Sequence, residues 1–182
     1  MPKDIDGAAR PDASPGAVAG GRTGYLWSPW RIDYIKGPHD DAACIFCDKL
    51  AAPQSEDPSN LILARGELAF AMLNAYPYNP GHIMVAPTRH TGDFESLARE
   101  ELAEADRLVQ ESLRVLREAE APHGFNIGMN LSRSAGAGIP DHLHWHVVPR
   151  WNGDTNFISI VGETRVLPEL LAETYSRLQP RF

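Results

Sequence analysis

Long apolar runs are missing from this 182-residue chain; none approaches the roughly 20 residues that a bilayer-spanning helix needs, so a membrane protein is not expected. A basic surplus is missing too: 17 Lys and Arg stand against 24 Asp and Glu, a net charge of -7 at pH 7. Non-specific nucleic-acid binding needs clustered cations to meet phosphates, so no nucleic-acid partner is expected, although an anionic small molecule could still be held by local groups. Lys3, Asp4 and Asp6 precede Ala, Pro and Gly at the start, where a secretory signal would place basic and then apolar residues; a cytoplasmic location is expected. No fixed-period repeat appears, which removes solenoids and propellers. Cysteine is scarce, with two residues placed as Cys44-Ile45-Phe46-Cys47. In a reducing compartment that spacing suggests metal ligation or redox work before a structural disulfide.

The composition that is present, 43% hydrophobic and 23% charged, suits one globular domain. Residues 1–24 are dominated by Ala, Gly, Pro, Asp and Arg and read as a disordered extension to a domain covering 25–182. The aromatic segment from Tyr25 to Ile35 would be costly to leave in water and is expected to pack on the domain or on a second subunit. Leu61-Ile62-Leu63-Ala64 and Leu68-Ala69-Phe70-Ala71-Met72-Leu73 flank Arg65-Gly66-Glu67 and suit a hairpin. The turn Asn79-Pro80-Gly81 introduces a strand, His82-Ile83-Met84-Val85-Ala86, closed by Pro87. From about Ser96 to Ala119 the chain lacks Pro and Gly, and Leu97, Leu102, Ala105, Val109, Leu113, Leu116 and Ala119 recur at helical spacing. The Glu and Arg residues between them read as a solvated face. Strands are expected at Phe125 to Asn130 and at His142 to Val148, with a closing helix from Pro168 to Leu178. The sum is an α+β fold with a mainly antiparallel β-sheet, one long helix and a C-terminal helix.

In an extended strand alternate side chains share a face, so His142, His144 and His146 should project together while Leu143, Trp145 and Val147 turn to the core. Core packing does not account for three such imidazoles, because each buried one needs its own hydrogen-bond partner. Clustered histidines serve as catalysts or as metal ligands.

The run His142-Leu143-His144-Trp145-His146-Val147-Val148 resembles the motif of the histidine triad (HIT) family, in which histidines alternate with hydrophobic residues. Asn79-Pro80-Gly81-His82-Ile83-Met84-Val85-Ala86-Pro87 is similar to that family's Pro-Gly-His strand, and Cys44-Ile45-Phe46-Cys47-Asp48-Lys49 to its CxxC variant, so the resemblance covers about residues 40 to 160. It implies a HIT-like fold and nucleotidyl transfer. His144 would attack the α-phosphorus of a nucleotide to give a phosphoramidate that a second acceptor cleaves; a neutral imidazole meets that need near pH 7. His146 would contact the phosphate or assist the leaving group, and His82 would supply a donor where negative charge develops. Asn74, eight residues before His82, matches the family's Asp or Asn on the ribose hydroxyls, though a turn role before Tyr76-Pro77 is as natural for Asn. Asn126 and Asn130 on the neighbouring strand would approach the phosphate. Gly136 and Gly138 lie in the loop Ser134-Ala135-Gly136-Ala137-Gly138-Ile139, whose amides could cradle an anion. The family's usual Gln is absent there, with Gly138 nearest its place.

The downstream run Val148-Pro149-Arg150-Trp151-Asn152-Gly153-Asp154-Thr155-Asn156-Phe157 resembles bacterial members related to diadenosine tetraphosphate phosphorylases. That implies phosphorolysis of diadenosine tetraphosphate to ADP and ATP, with inorganic phosphate as acceptor, Mg2+ accompanying the polyphosphate, and a homodimer or higher homo-oligomer. Arg150 would either grip a polyphosphate oxygen or stand solvated. In zinc-bearing relatives the CxxC pair is completed by a histidine after the Pro-Gly-His strand and by the first histidine of the motif, places that His90 and His142 occupy. Cys44, Cys47, His90 and His142 would then bind a structural Zn2+, against a redox CxxC. Hydrolysis of dinucleoside polyphosphates or of adenosine phosphoramidate-type nucleotides is the near alternative. A metal-dependent hydrolase, with a catalytic zinc on the three histidines of the motif, and a non-catalytic nucleotide-binding protein are the distant ones.

Overall fold

The computed structural model describes residues 44–154 and 169–182. The expected extension at 1–24, the aromatic segment at 25–35, residues 155–157 of the downstream run and the Pro168 start of the last helix lie outside that range. The described chain opens with α1 (Ile45–Ala51) and the one-turn α2 (Asp57–Asn60), which Leu61 ends in the left-handed region at φ 63. Then come β1 (Ile62–Arg65), β2 (Ala69–Leu73), β3 (Ile83–Pro87), α3 (Arg99–Glu120), β4 (Gly124–Met129), β5 (Trp145–Arg150) and α4 (Leu171–Leu178).

The five strands form one sheet in the order β1-β2-β3-β5-β4 with every neighbour antiparallel. The pleat divides the hydrophobic residues between two faces. Leu63, Ala69, Ala71, Leu73, Ile83, Val85, Leu143, Trp145 and Val147 join Ala105, Leu108, Val109, Val115 and Leu116 of α3, and Tyr175 and Leu178 of α4, in the main core. Each of the Leu, Ile and Val side chains among them contributes about 1.5–3 kcal/mol when taken from water. The opposite face carries a smaller cluster, Phe46, Ile62, Phe70, Met72, Met84 and Ala86. On that face the register sets Ile62 opposite Met72, Met72 opposite Met84, Met84 opposite His146 and His146 opposite Gly128. One row across the sheet thus passes from apolar side chains to a histidine and then to a residue with no side chain.

Three details depart from the sequence reading. β5 begins at Trp145, so His142 and His144 precede the strand, although Leu143, Trp145 and Val147 keep the expected alternation into the core. The cause is a distant partner: Leu143 N donates to Thr91 O at 2.8 Å, tying this stretch to the loop after β3. The buried side of α3 centres on Ala105, Leu108, Val109, Ser112, Val115 and Leu116, leaving Leu102, Leu113 and Ala119 at its margin. And two acids of α3 are not part of a solvated face. Glu101 is buried, pairs with Arg89 and accepts from Ala98 N at 2.8 Å, while Glu104 accepts from Glu67 N and Leu68 N at 3.0 and 2.7 Å, fastening the β1–β2 turn to the helix.

Candidate functional site

The histidines expected to carry chemistry come together on the side of the sheet away from α3, and their hydrogen bonds fix their tautomers one after another. His82, 0% exposed, lies just before β3. Its Nδ1 accepts from Tyr78 N at 3.1 Å and lies 3.3 Å from Asn74 Nδ2. A backbone N–H can only donate, so His82 Nδ1 is an acceptor and the proton sits on Nε2. That Nε2 is 3.0 Å from His146 Nδ1, which therefore accepts, leaving the proton of His146 on its own Nε2. His144 is also settled. Its Nδ1 donates to the carbonyl oxygen of His142 at 3.0 Å, so in the neutral ring Nε2 carries the lone pair. The rings pack closely, with His144 and His146 centroids 4.8 Å apart and Tyr78 stacked on His82 at 4.8 Å. Burial first, and then the neighbouring His146 and His144, hold His82 well below the usual histidine range, so it is neutral at pH 7.

The first histidine of the motif turns elsewhere. His142 Nε2 donates to Pro87 O at 2.8 Å, which points Nδ1 at the cysteines, 3.3 Å from Cys44 Sγ and 3.5 Å from Cys47 Sγ. His90 Nδ1 is 3.4 Å from Cys47 Sγ, and the ligand atoms of all four residues lie within 4.8 Å of one another. Metal–ligand bonds of about 2.0–2.3 Å at tetrahedral angles put ligand atoms about 3.3–3.8 Å apart, so this set of two thiols and two imidazoles has the spacing that zinc takes. Cys44 stands at the N-cap of α1 and Cys47 in its first turn, which lets one short helix present both thiols. Burial, then the bond to Cys44 and the charge of Cys44 and Asp48, push the Cys47 thiol up to about 11. Among the described residues this is the one cluster of three or more such donors.

Asn74 takes the turn role: Oδ1 accepts from Tyr76 N at 2.9 Å in an Asx turn, while Nδ2 lies beside His82 Nδ1. Asn126 and Gly128 pair with Val148 and His146 and share their face of the sheet, with Asn130 one residue beyond β4. A Cβ on Gly128 would meet nothing within 4 Å, so open space lies beside His146. Arg150 stays partly exposed, but its polar atoms are engaged within the protein. Nε and one terminal nitrogen donate to Asp154 at 2.6 and 2.8 Å, and the other donates to Asn126 Oδ1 at 2.8 Å, which leaves the Asn126 amide hydrogens facing outward. The amide of Gly136 donates to Arg133 O at 2.9 Å and so closes the loop on itself. Gly138 is half-buried two residues on.

The sequence reading did not single out Tyr78, Asp154 or a buried role for Asn79. Asn79 was read only as a turn residue, yet it is 5% exposed and donates to Pro149 O and to Asp154 at 2.9 and 2.8 Å, joining the loop before His82 to the end of β5. Asp154, receiving bonds from Arg150, Asn79 and Trp151 N, is held well below the usual carboxylate range, the Arg150 bonds first. No local pattern signals a partnership between residues 75 positions apart.

Residues 54–153 match the family model of the HIT domain. The AP-4-A phosphorylase of Mycobacterium tuberculosis is 45% identical over 154 residues, which span 82% of this chain and 79% of that protein. Among solved structures, a Zn-bound histidine triad family protein from Mycobacterium smegmatis superposes with a TM-score of 0.60 at 29% identity, covering 76% of this chain and 92% of that one. A hypothetical histidine triad nucleotide-binding protein from Sulfolobus tokodaii gives a TM-score of 0.56 at 26% identity, over 76% and 88% of the two chains.

Proposed function

The chain belongs to the histidine triad family, and from that premise we propose that it is an enzyme transferring an adenylyl group from diadenosine tetraphosphate to inorganic phosphate through an adenylyl-histidine. The observation that carries the reading is the bond from His144 Nδ1 to the His142 carbonyl: it orients the ring so that Nε2, the lone-pair nitrogen of its neutral form, stands beside a second histidine whose Nε2 carries a proton. His144 Nε2 attacks the α-phosphorus, the bond from that phosphorus to the bridging oxygen breaks, and ATP leaves. His146 Nε2–H meets the charge gathering on the bridging or non-bridging oxygens, and His82 behind it keeps that proton in place. An oxygen of inorganic phosphate then attacks the phosphoramidate, the P–N bond breaks, His144 is restored, and ADP departs. The sum is diadenosine tetraphosphate plus phosphate giving ATP plus ADP.

Asn74 would meet the ribose hydroxyls. Asn126, turned outward by Arg150, and Asn130 would donate to phosphate oxygens across the gap at Gly128, with Gly136 and Gly138 shaping the loop on the far side. Arg150 thus acts through Asn126. Zn2+ held by Cys44, Cys47, His90 and His142 would fix α1 and His142 in place; the Zn-bound relative supports that identity. A homodimer is part of the proposal, supported by the edge position of β4, where Ile127 is exposed, and light scattering at micromolar protein would read it directly.

The test of the reaction uses 18O-labelled phosphate. Label should enter ADP, and phosphate should accelerate loss of diadenosine tetraphosphate. A phosphate-independent rate with release of AMP and ATP would make the protein a hydrolase of dinucleoside polyphosphates, the reading that the absence of the usual Gln near Gly138 disfavours.

A further inference from the structure

Between the two metal-binding cysteines stands a residue that the reaction as described does not use. Phe46 is 0% exposed on the catalytic face of the sheet. Its ring centroid lies 4.9 Å from that of His144, inclined at 45°, and 5.0 Å from that of His142, inclined at 50°. On its far side it meets Phe70 edge-on at 6.2 Å. We propose that Phe46 is a positioning residue for the nucleophile, bracing the His144 imidazole through a ring that the metal-binding turn of α1 holds in place.

The need for a brace follows from the bonding of His144. The hydrogen bond from Nδ1 to the His142 carbonyl orients that nitrogen but does not by itself set the plane of the ring, which can swing about that contact. Attack in line with a leaving oxygen requires Nε2 to point in one direction. The plane is fixed by neighbours: His146 packs against the His144 ring at 4.8 Å and 76°, and Phe46 packs against it as well. Phe46 braces the anchor too, since it touches the ring of His142, whose carbonyl accepts the His144 proton. Having no exposed surface, Phe46 can reach a substrate only through His144.

The ring is placed from the other direction by Cys44 and Cys47, two residues before it and one after. Their sulfurs lie within 3.5 Å of His142 Nδ1, so closing the four-ligand set pins the first turn of a helix that is only 7 residues long. The turn that binds metal and the turn that steadies the nucleophile are the same turn.

The inference rests on the reading of His144 as nucleophile, and the test separates the two. Phe46→Leu and Phe46→Met, both close to Phe in volume and neither a flat ring, are compared with the full-length parent for kcat, KM, metal content by elemental analysis and 15N NMR of the histidine side chains. Both variants should hold one metal per chain, keep KM within about twofold and lose about tenfold in kcat, the pattern of a misoriented reactive group and not of a lost binding contact. The 15N resonances of His144 should move from those of a fixed Nδ1–H form toward a tautomer average. Wild-type kcat with unchanged His144 resonances in either metal-loaded variant would overturn the proposal. So would rate losses that follow metal loss in both, since Phe46 would then serve folding alone. If His144→Asn retains turnover, the nucleophile assignment falls instead, whatever Phe46 does.

Discussion

At the scale of the residue, the site is a set of proton positions. Tyr78 N fixes His82, His82 fixes His146, and a carbonyl orients His144, so that the nitrogens of neighbouring rings are set in place by a chain of hydrogen bonds. His144→Asn keeps much of the side-chain volume and removes the attacking nitrogen; we expect turnover to fall by at least about 10³-fold, with nucleotide binding nearly unchanged by calorimetry, because a nucleophile contributes to the transition state and little to the ground state. Normal turnover would remove His144 from that role. His82 links the same geometry to stability. Its folded pKa lies well below that of an unfolded histidine, with burial the main cause, so below about pH 6.5 the unfolded chain takes up a proton that the folded chain refuses. Its contribution is fully present above the unfolded value and shrinks on acidification, by up to about 1.4 kcal/mol per pH unit until the folded pKa is reached. His82→Gln should therefore weaken the acid sensitivity of stability between about pH 6.5 and 5 relative to the parent in denaturant titrations; parallel curves for the two proteins would contradict it.

Elements were legible where one local rule sufficed. The period-two alternation of Leu143, Trp145 and Val147 and the Pro-free stretch that became Arg99–Glu120 declare themselves in any short window. Their exact ends did not, because ends are set by distant partners: β5 starts late because Leu143 is bonded to Thr91, and the α3 acids leave solvent because they meet Arg89 and the amides of a hairpin turn. That last contact explains Gly66. A Cβ there would fall 2.0 Å from Glu104 Oε1 and 2.7 Å from Ala69 O. The backbone oxygen cannot retreat without opening the hairpin, and moving the carboxylate strips Glu67 N and Leu68 N of their acceptor. We expect Gly66→Ala to cost about 1–3 kcal/mol, and Gly66→Ala combined with Glu104→Ala to cost less than the sum of the two, as befits groups sharing one interaction. Thermal denaturation of the three variants measures both; additive losses would mean that the helix and turn are not coupled through this carboxylate.

At the scale of the whole molecule, the histidine spacing and the family resemblance named candidates that the fold gathers, while the different surroundings of each needed three dimensions. His142, His144 and His146 look equivalent along a strand, yet the first faces two thiols, the second a carbonyl and the third another histidine. Arg150 reads from sequence as either a cation for phosphate or a solvated side chain, and the fold also binds it to Asp154 and to Asn126, the latter 24 residues away. The metal set has the widest reach, drawing on residues 44 and 47 of the first described helix, residue 90 after β3 and residue 142 before β5. These segments belong to opposite ends of the described sheet sequence, so a zinc ion there would act as a cross-link closing loops of many residues. Such loops are entropically expensive to hold without a link. Binding free energy at a structural zinc site is folding free energy, and for a protein of this size 1 kcal/mol corresponds to about 2–4 °C in Tm. We therefore expect one zinc per chain by elemental analysis and a fall in Tm of about 10 °C or more on prolonged chelation, reversed by adding zinc back. Cys44→Ser with Cys47→Ser should give the chelated Tm from the outset and be insensitive to added zinc. Purified protein without zinc, or a double variant as stable as the parent, would show that the four residues gather without a metal to hold.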